Sequence, residues 1–308
     1  MTVQTTDPVR RKRRTDRPAW EEPPTALGQT AKTVVLSIVV LAVVFPLWSV
    51  VVTSFSSRET INETGGMVVI PRDFDPSAYV TIFSASQVTT AVWVSTLVSV
   101  VGAAFSLTLT VLAAYGLSRP NSVGHRAILF YFLLTFLIYP GMVPSYLVVT
   151  TFGLKDNIWA LVLPSAISAF NLVVIRAFFM NVPQELLDSA RLDGAGELGI
   201  LWRIVLPLSK AVIAVVGLFY AVGYWNAFFN ALLYIDDNDK WPVQRLLQSY
   251  ILAGQTPAVS GSTVGTSMPP TLAIKMAVVV ITVGPIVAVY PFVQRHFVKG
   301  VIVGAVKG

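Results

Sequence analysis

The chain has 308 residues, of which 54% are hydrophobic and only 12% charged, with a mean hydropathy of +0.68. Soluble domains carry about 25% charged residues, so most of this chain lies in lipid and one membrane domain accounts for nearly all of it. The absence of cysteine excludes a disulfide framework, a thiolate metal site and a cysteine nucleophile, and the formal charge of +6 in so apolar a chain reads as topological bias rather than a nucleic-acid footprint.

Residues 1–30 form a basic arm containing Arg10, Arg11, Lys12, Arg13, Arg14 and Arg17. It is expected to be disordered and cytoplasmic, and to touch anionic headgroups at about 1 kcal/mol per charge near the surface. Its charged lead and the apolar run behind it are too long for a secretory signal peptide. Residues 31–308 then read as a transmembrane domain. A crossing helix needs about 20 mostly apolar residues, and six runs qualify. The first is 34–55, interrupted by Pro46. A long loop, 56–87, follows. The second run, 88–117, exceeds the hydrocarbon layer and must tilt or project into water. The third, 127–150, is broken in its outer half by Pro140, Gly141 and Pro144. The fourth is 158–180.

Between the fourth and fifth runs lies DSARLDGAGELGILWRIVLP, residues 188–207. Pro183 suits a first helical turn, where its missing N–H costs nothing. Glu185 and Asp188 place negative charge near that helix N-terminus, and Leu186, Leu187 and Ala190 are spaced as one apolar stripe. Gly194 permits a sharp break. A second amphipathic run reaches Leu206 and is halted by Pro207. Two small helices at about 183–207 are therefore expected at a membrane surface, where something in the water docks.

The fifth run is 211–235. Gly223, Asn226 and Asn230 share one face of it, with Tyr220, Tyr224 and Trp225 nearby. Amides and aromatic rings suit sugars, whose hydroxyls want donors and acceptors and whose C–H faces lie against π systems. The competing role is interhelical hydrogen bonding, worth around 0.6–2 kcal/mol per contact. Asn171 and Arg176 on the fourth run invite the same two readings, with Arg176 expected to extend toward the headgroups. A second long loop, 236–270, carries the acidic cluster Asp236, Asp237 and Asp239, a short amphipathic helix near 243–251 and a Gly/Ser/Thr-rich stretch. The sixth run is 271–293, with Lys275 near its outer end. His125 and His296 read as polar residues at crossing ends.

No Asp or Glu falls inside any of the six runs. Of the 22 Lys and Arg, 16 fall on the side of the N-terminus and five on the other, which puts both termini and residues 183–207 in the cytoplasm.

The segment at 188–207 resembles the coupling loop of ABC importer permeases, whose pattern is Glu-Ala-Ala, three residues, Gly, nine residues, Ile, one residue, Leu-Pro. The matching positions are Asp188, Ser189, Ala190, Gly194, Ile204, Leu206 and Pro207, with Asp188 standing for Glu and Ser189 for Ala. AAYGLSRP (113–120), YPGMVPSYLVV (139–149), GYWNAFFNALLYIDD (223–237) and the tail YPFVQRHFVKGVIVGAVKG (290–308) resemble the carbohydrate-uptake branch, akin to the maltose system's second permease. The resemblance covers roughly residues 34–308. It implies an all-α, six-crossing type I permease fold and a multi-pass subunit of the bacterial cell membrane. It also implies the partners: a homologous permease subunit forming a heterodimer, two ATPase subunits and an extracellular solute-binding lipoprotein. ATP and Mg would sit on the ATPase chains, and this chain, which has no G-x-x-x-x-G-K-[ST] loop, would bind no cofactor. Asp188, Ser189, Ala190 and Gly194 would form the docking core, with Ile204, Leu206 and Pro207 setting the angle into the fifth crossing. The cargo implied is an oligosaccharide or sugar derivative.

A different class, a secondary transporter or channel for small polar solutes not driven by ATP, usually places ionisable groups or broken helices at the membrane midplane, and no carboxylate lies within the runs. An intramembrane enzyme lacks paired acids, a nucleophile with a histidine, and a metal-ligand cluster.

Overall fold

The computed structural model describes residues 25–119, 122–138, 140–252 and 271–305, with side chains to residue 291. Most of the basic arm, the Gly/Ser/Thr-rich stretch and the side chain of His296 lie outside the described residues. Every regular element described is helical. Contacts divide the chain into two units, Met1–Trp48 and Ser49–Gly308. The described part of the first is the beginning of α1, Ala26–Ser54, whose apolar residues from Val34 to Leu47 are exposed.

The second unit begins with the last residues of α1. The loop that follows is a packed structure rather than a bare connection. It holds α2, Arg58–Glu63, and α3, Ser77–Ser84. Phe55 stacks on Phe74 and Tyr79 at 5.1 and 4.5 Å. The Ser57 N–H donates to the Asp73 carboxylate (2.9 Å), and the Val68 N–H donates to Thr53 Oγ1 (2.8 Å).

The centre of the unit is α4, Ser86–Ser118, the second expected crossing. Its 33 residues span about 50 Å at ~1.5 Å each, longer than the ~30 Å hydrocarbon layer. Its buried side is lined by small residues, Ser95, Ser99, Gly102, Ala103, Ser106, Thr110 and Ala114. Small side chains let helix backbones approach closely in lipid, where packing rather than hydrophobicity drives association.

The third expected crossing is two helices, α5, His125–Leu137, and α6, Met142–Thr151. Gly141, at φ +87°, turns the chain between them. The fourth begins as two 3-10 turns, Ile158–Leu161 and Leu163–Ser165. It bends by 54° and continues as α7, Ala169–Met180. After α8, Gln184–Leu192, comes a continuous helix in three parts: α9, Glu197–Ile200, a π-turn at Leu201–Val205, and α10, Leu206–Trp225. Then come α11, Phe228–Tyr234, the expected amphipathic helix α12, Val243–Leu252, and α13, Thr271–Ala305. α4 packs on α7 and α10, and α13 on α10 and α12. Four described helices are long and apolar enough to cross a membrane, five if the bent fourth counts as one.

The acidic cluster has a structural partner that the sequence did not reveal. Asp156, at φ +58°, accepts the N–H groups of Asp236 (2.6 Å) and Asp237 (3.0 Å) on one carboxylate oxygen. Lys155 pairs with Asp236 at 2.7 Å and Lys240 with Asp237 at 3.1 Å. The backbone N–H groups of Asp237 and Asp236 hold the Asp156 carboxyl below its ordinary range. A carboxyl with a depressed folded-state pKa stabilises above the unfolded value, and that contribution is lost as pH falls through the folded one. Asp156→Ala is therefore expected to lower the apparent melting temperature of the purified transporter at pH 7, with the deficit shrinking as pH falls below the ordinary Asp value of ~3.9. A deficit independent of pH would show that the clasp does not act through its charge.

Candidate functional site

Two features stand out, a hairpin at one end of the bundle and a cavity between broken helices.

The hairpin is α8 and the start of the α9–α10 helix. Pro183 precedes α8, Glu185 lies in its first turn and Arg191 in its last, matching the sign of each helix end. The helix stops in a Schellman motif: the Ala195 N–H reaches the Ala190 carbonyl (2.9 Å) and the Gly194 N–H the Arg191 carbonyl (3.0 Å). Gly194 adopts φ +82°, the left-handed conformation the motif requires. Leu187 is fully buried and Ala190 packs against the core, whereas Leu186 is exposed. The expected three-residue stripe is thus two residues wide, because the core meets α8 along a narrow line.

Asp188 and Ser189 face solvent, as does the Gly194 turn. Around them Leu186, Leu192, Leu198 and Trp202 are exposed, Leu192 at 90%. Four large apolar side chains exposed beside a polar turn form a surface suited to another protein or to lipid. Ile204 and Leu206 are half-buried against the core and Pro207 is exposed.

Pro207 does not halt the second run. The chain passes through it as one helix from Glu197 to Trp225. The π-turn at Leu201–Val205 explains this: the wider turn relieves the clash of a proline ring with the preceding carbonyls, and Pro207 lies at the start of the regular α-helix that follows.

Arg191 Nη1 donates to Asp188 (2.9 Å), and its Nε and Nη2 donate to Glu197 Oε1, each at 3.1 Å. The Tyr115 hydroxyl, from α4, donates to Glu197 Oε2 at 2.6 Å. This network was not visible in the sequence; only Asp188 and Arg191 are local, at i,i+3 spacing. Arg176, which the sequence suggests extends toward the headgroups, has a defined partner at the end of α4. Its Nε donates to the Leu117 carbonyl at 2.8 Å, satisfying an open acceptor in the last turn of α4.

The cavity, of about 380 Å³, lies where the fourth and fifth crossings break. Within the fourth, Ser168 is extended and its hydroxyl accepts the Asn171 N–H at the start of α7. Non-helical backbone at membrane depth needs partners, and two tyrosines of α10 supply them. The Ser168 N–H donates to the Tyr220 hydroxyl (2.9 Å), and the Tyr224 hydroxyl lies 3.3 Å from the Val162 carbonyl. The same hydroxyls meet Thr110 (2.7 Å) and Ser106 (2.6 Å) on α4. The fifth crossing breaks after Trp225, where Asn226 ends α10 and Ala227 leads into α11.

Five of the six expected pathway residues, Tyr220, Gly223, Tyr224, Asn226 and Asn230, line this cavity, together with Ser165, Ser168 and Asn171. Trp225 does not. It points the other way, donating its indole N–H to the Thr282 carbonyl of α13 at 3.1 Å. Asn226 is already engaged, donating to the Val222 carbonyl and accepting from Gln244. The amides of Asn171 and Asn230 make no hydrogen bond to the described residues. Gly223 has no neighbour within 4 Å of where a Cβ would lie, so it keeps the cavity open.

The comparisons agree on one family. Residues 106–303 match the family described as binding-protein-dependent transport system inner membrane component. The chain is 44% identical over 269 residues to the polygalacturonan/rhamnogalacturonan transport system permease protein YtcP of Bacillus subtilis (strain 168), covering 87% of this chain and 94% of that one. It is 43% identical over 265 residues to protein LplC of the same organism, covering 86% and 90%. A chain in the crystal structure of a bacterial ABC transporter that imports the acidic polysaccharide alginate superposes with a TM-score of 0.82 at 29% identity, over 88% of this chain and 96% of its own. A helical membrane domain with a solvent-facing hairpin and a cavity between broken crossings, matched in sequence along most of its length, belongs to the inner-membrane permease components of binding-protein-dependent ABC transport systems.

Proposed function

We propose that this permease subunit admits oligosaccharides or sugar derivatives by alternating access, driven by ATP hydrolysis on separate subunits. The cavity between the broken crossings carries this reading. The family match supplies the ATP-driven class, and the cavity supplies the route, since secondary transporters likewise place cargo near the membrane midplane at discontinuous helices. At about 380 Å³ the cavity falls in the roughly 300–1,000 Å³ range of small-molecule sites. Its polar groups on this chain are amides and hydroxyls, which recognise sugar hydroxyls by donating and accepting at once. None is charged. The polyuronate named for one relative and the alginate named for the structural neighbour make acidic oligosaccharides the leading cargo, with their charge met outside this chain's part of the cavity.

Residues 31–308 form the membrane domain, with six crossings if α5 and α6 together make the third, and with both termini cytoplasmic. Asp188, Ser189, Ala190 and Gly194 dock on an ATPase subunit, and Ile204, Leu206 and Pro207 set the direction of the fifth crossing. A second, homologous permease, two ATPase chains that bind ATP and Mg, and an extracellular binding lipoprotein complete the assembly. The exposed apolar side chains around the hairpin support this docking role.

The test is uptake of labelled galacturonate oligomers by proteoliposomes holding the complete transporter. Asn171→Ala and Asn230→Ala are each expected to raise the half-saturating concentration by roughly 5- to 150-fold, the equivalent of the ~1–3 kcal/mol cost of leaving a cargo hydroxyl unpaired. Unchanged kinetics in both variants would remove the cavity from the pathway. Uptake that resists vanadate and collapses with the proton gradient would overturn the ATP-driven reading.

A further inference from the structure

We propose that Glu197 is the positioning residue through which displacement of the docking helix α8 reaches the second crossing, α4; this rests on the ATP-driven reading above. Three elements meet at its carboxylate. Arg191, in the last turn of α8, donates twice to Oε1 at 3.1 Å while its third nitrogen holds Asp188. Tyr115, buried near the end of α4, donates to Oε2 at 2.6 Å and lies 3.1 Å from the backbone carbonyl of the same residue. Arg119 sits 4.5 Å above the Tyr115 ring and 3.9 Å from Oε2. Glu197 itself opens the helix that runs unbroken to Trp225 in the fifth crossing. One side chain therefore joins the hairpin, α4 and the fifth crossing.

The two ties differ in kind. The Arg191–Glu197 pair is half-exposed, so water and salt weaken it. The Tyr115 hydroxyl is largely shielded and meets a charged acceptor at short range, which makes the stronger sort of hydrogen bond. The α4 side of the latch is thus the firm one. Arg176 fastens α7 to the same end of α4, so a pull on Tyr115 reaches the fourth crossing as well. Without Glu197, α8 keeps its apolar anchor at Leu187. Apolar burial is non-directional, so the helix could slide or rotate without carrying α4 along.

The chain has no cysteine, so nitroxide labels can be placed singly. We would label the complete transporter at Gln184→Cys on α8 and Leu112→Cys on α4. The distance distribution is recorded in MgATP with vanadate and without nucleotide. The otherwise native chain is expected to give one distribution, the same in both states. Glu197→Ala is expected to broaden it and to shift it on adding nucleotide, with the ATPase subunits still bound. Tyr115→Phe loses a hydroxyl sited away from the docking surface and is expected to give the same change at smaller amplitude. A Glu197→Ala distribution as narrow and unshifted as the native one overturns the latch. So does loss of the ATPase subunits from Glu197→Ala with Tyr115→Phe unchanged, which would put Glu197 in the docking surface. Failure of the ATP-driven reading is separate: the native complex would then retain no ATPase subunit and hydrolyse no MgATP.

Discussion

Gly194→Val is expected to cut cargo uptake by an order of magnitude or more while ATP hydrolysis by the assembled transporter continues. The reason is backbone conformation, not crowding. A Cβ at Gly194 would have nothing within 4 Å, so the substitution clashes with no neighbour. The residue sits at φ +82°, however. A left-handed backbone costs an L-residue about 1–2 kcal/mol and a β-branched one more. The Schellman bonds around it are short and well formed, but they end a helix of only nine residues, so the cheaper response is for the turn to open. α8 would then swing relative to Glu197, and Asp188 and Ser189 would leave their positions. Gly194→Asn is the control, because asparagine tolerates the left-handed region. The pair separates conformation from side-chain bulk. Uptake and hydrolysis measured together in proteoliposomes decide it: equal, near-native coupling in both variants would show that the turn's geometry does not matter.

The parts of the fold that were legible in the sequence are those set by composition over long windows. α4 and the membrane-facing length of α13 follow from uninterrupted apolar runs of crossing length, and the ends of α4 and α12 lie within two residues of expectation. The hairpin was legible because its turn needs a glycine and its first helix carries charges matched to its ends. The breaks were harder. IWALVLPSAISAFN is mostly apolar, and only Pro164 and the capping Ser168 mark the interruption locally. The break persists because hydroxyls 52 to 62 residues away satisfy it, which no local pattern contains. The fifth crossing gives less warning still, since no proline lies near Asn226.

Pro207 misled in the opposite direction. A proline suggests a stop, yet a preceding π-turn let the helix continue. The latch at Glu197 was invisible for the reason the tyrosine ties were: Tyr115 lies 82 residues earlier in the chain. Among the pathway candidates, residue type and helical spacing found the right wall of the cavity but not the state of each group. Asn226 and the tyrosines look like cargo ligands in a list of polar residues. The structure shows Asn226 held by Val222 and Gln244, and both tyrosine hydroxyls bound to α4.

Tyr224→Ala is expected to cause a large loss of stability, about 3–5 kcal/mol for an emptied aromatic site. Tyr224 is 5% exposed and stacks beside Tyr220 with ring centroids 6.4 Å apart. The fit is tight: a Cβ on Gly102 of α4 would come within 3.0 Å of both the Tyr224 ring and Val162. Tyr224→Phe keeps that packing and isolates the hydroxyl. Ser106 can turn to a carbonyl one turn back on its own helix, so the cost falls on the backbone carbonyl at the break, about 1–3 kcal/mol. Tyr220→Phe should cost as much or more, because it strands the Ser168 N–H, a backbone donor with fewer alternatives than a carbonyl. The two roles open to these tyrosines make opposite forecasts. As braces of the broken crossing, the phenylalanine variants lower the apparent melting temperature of the purified complex and leave the half-saturating cargo concentration of the surviving transporters unchanged. As cargo ligands, they raise that concentration and leave the melting temperature alone. The observed bonds favour the brace, since a hydroxyl already shared between α4 and the broken backbone has little capacity left for a passing sugar.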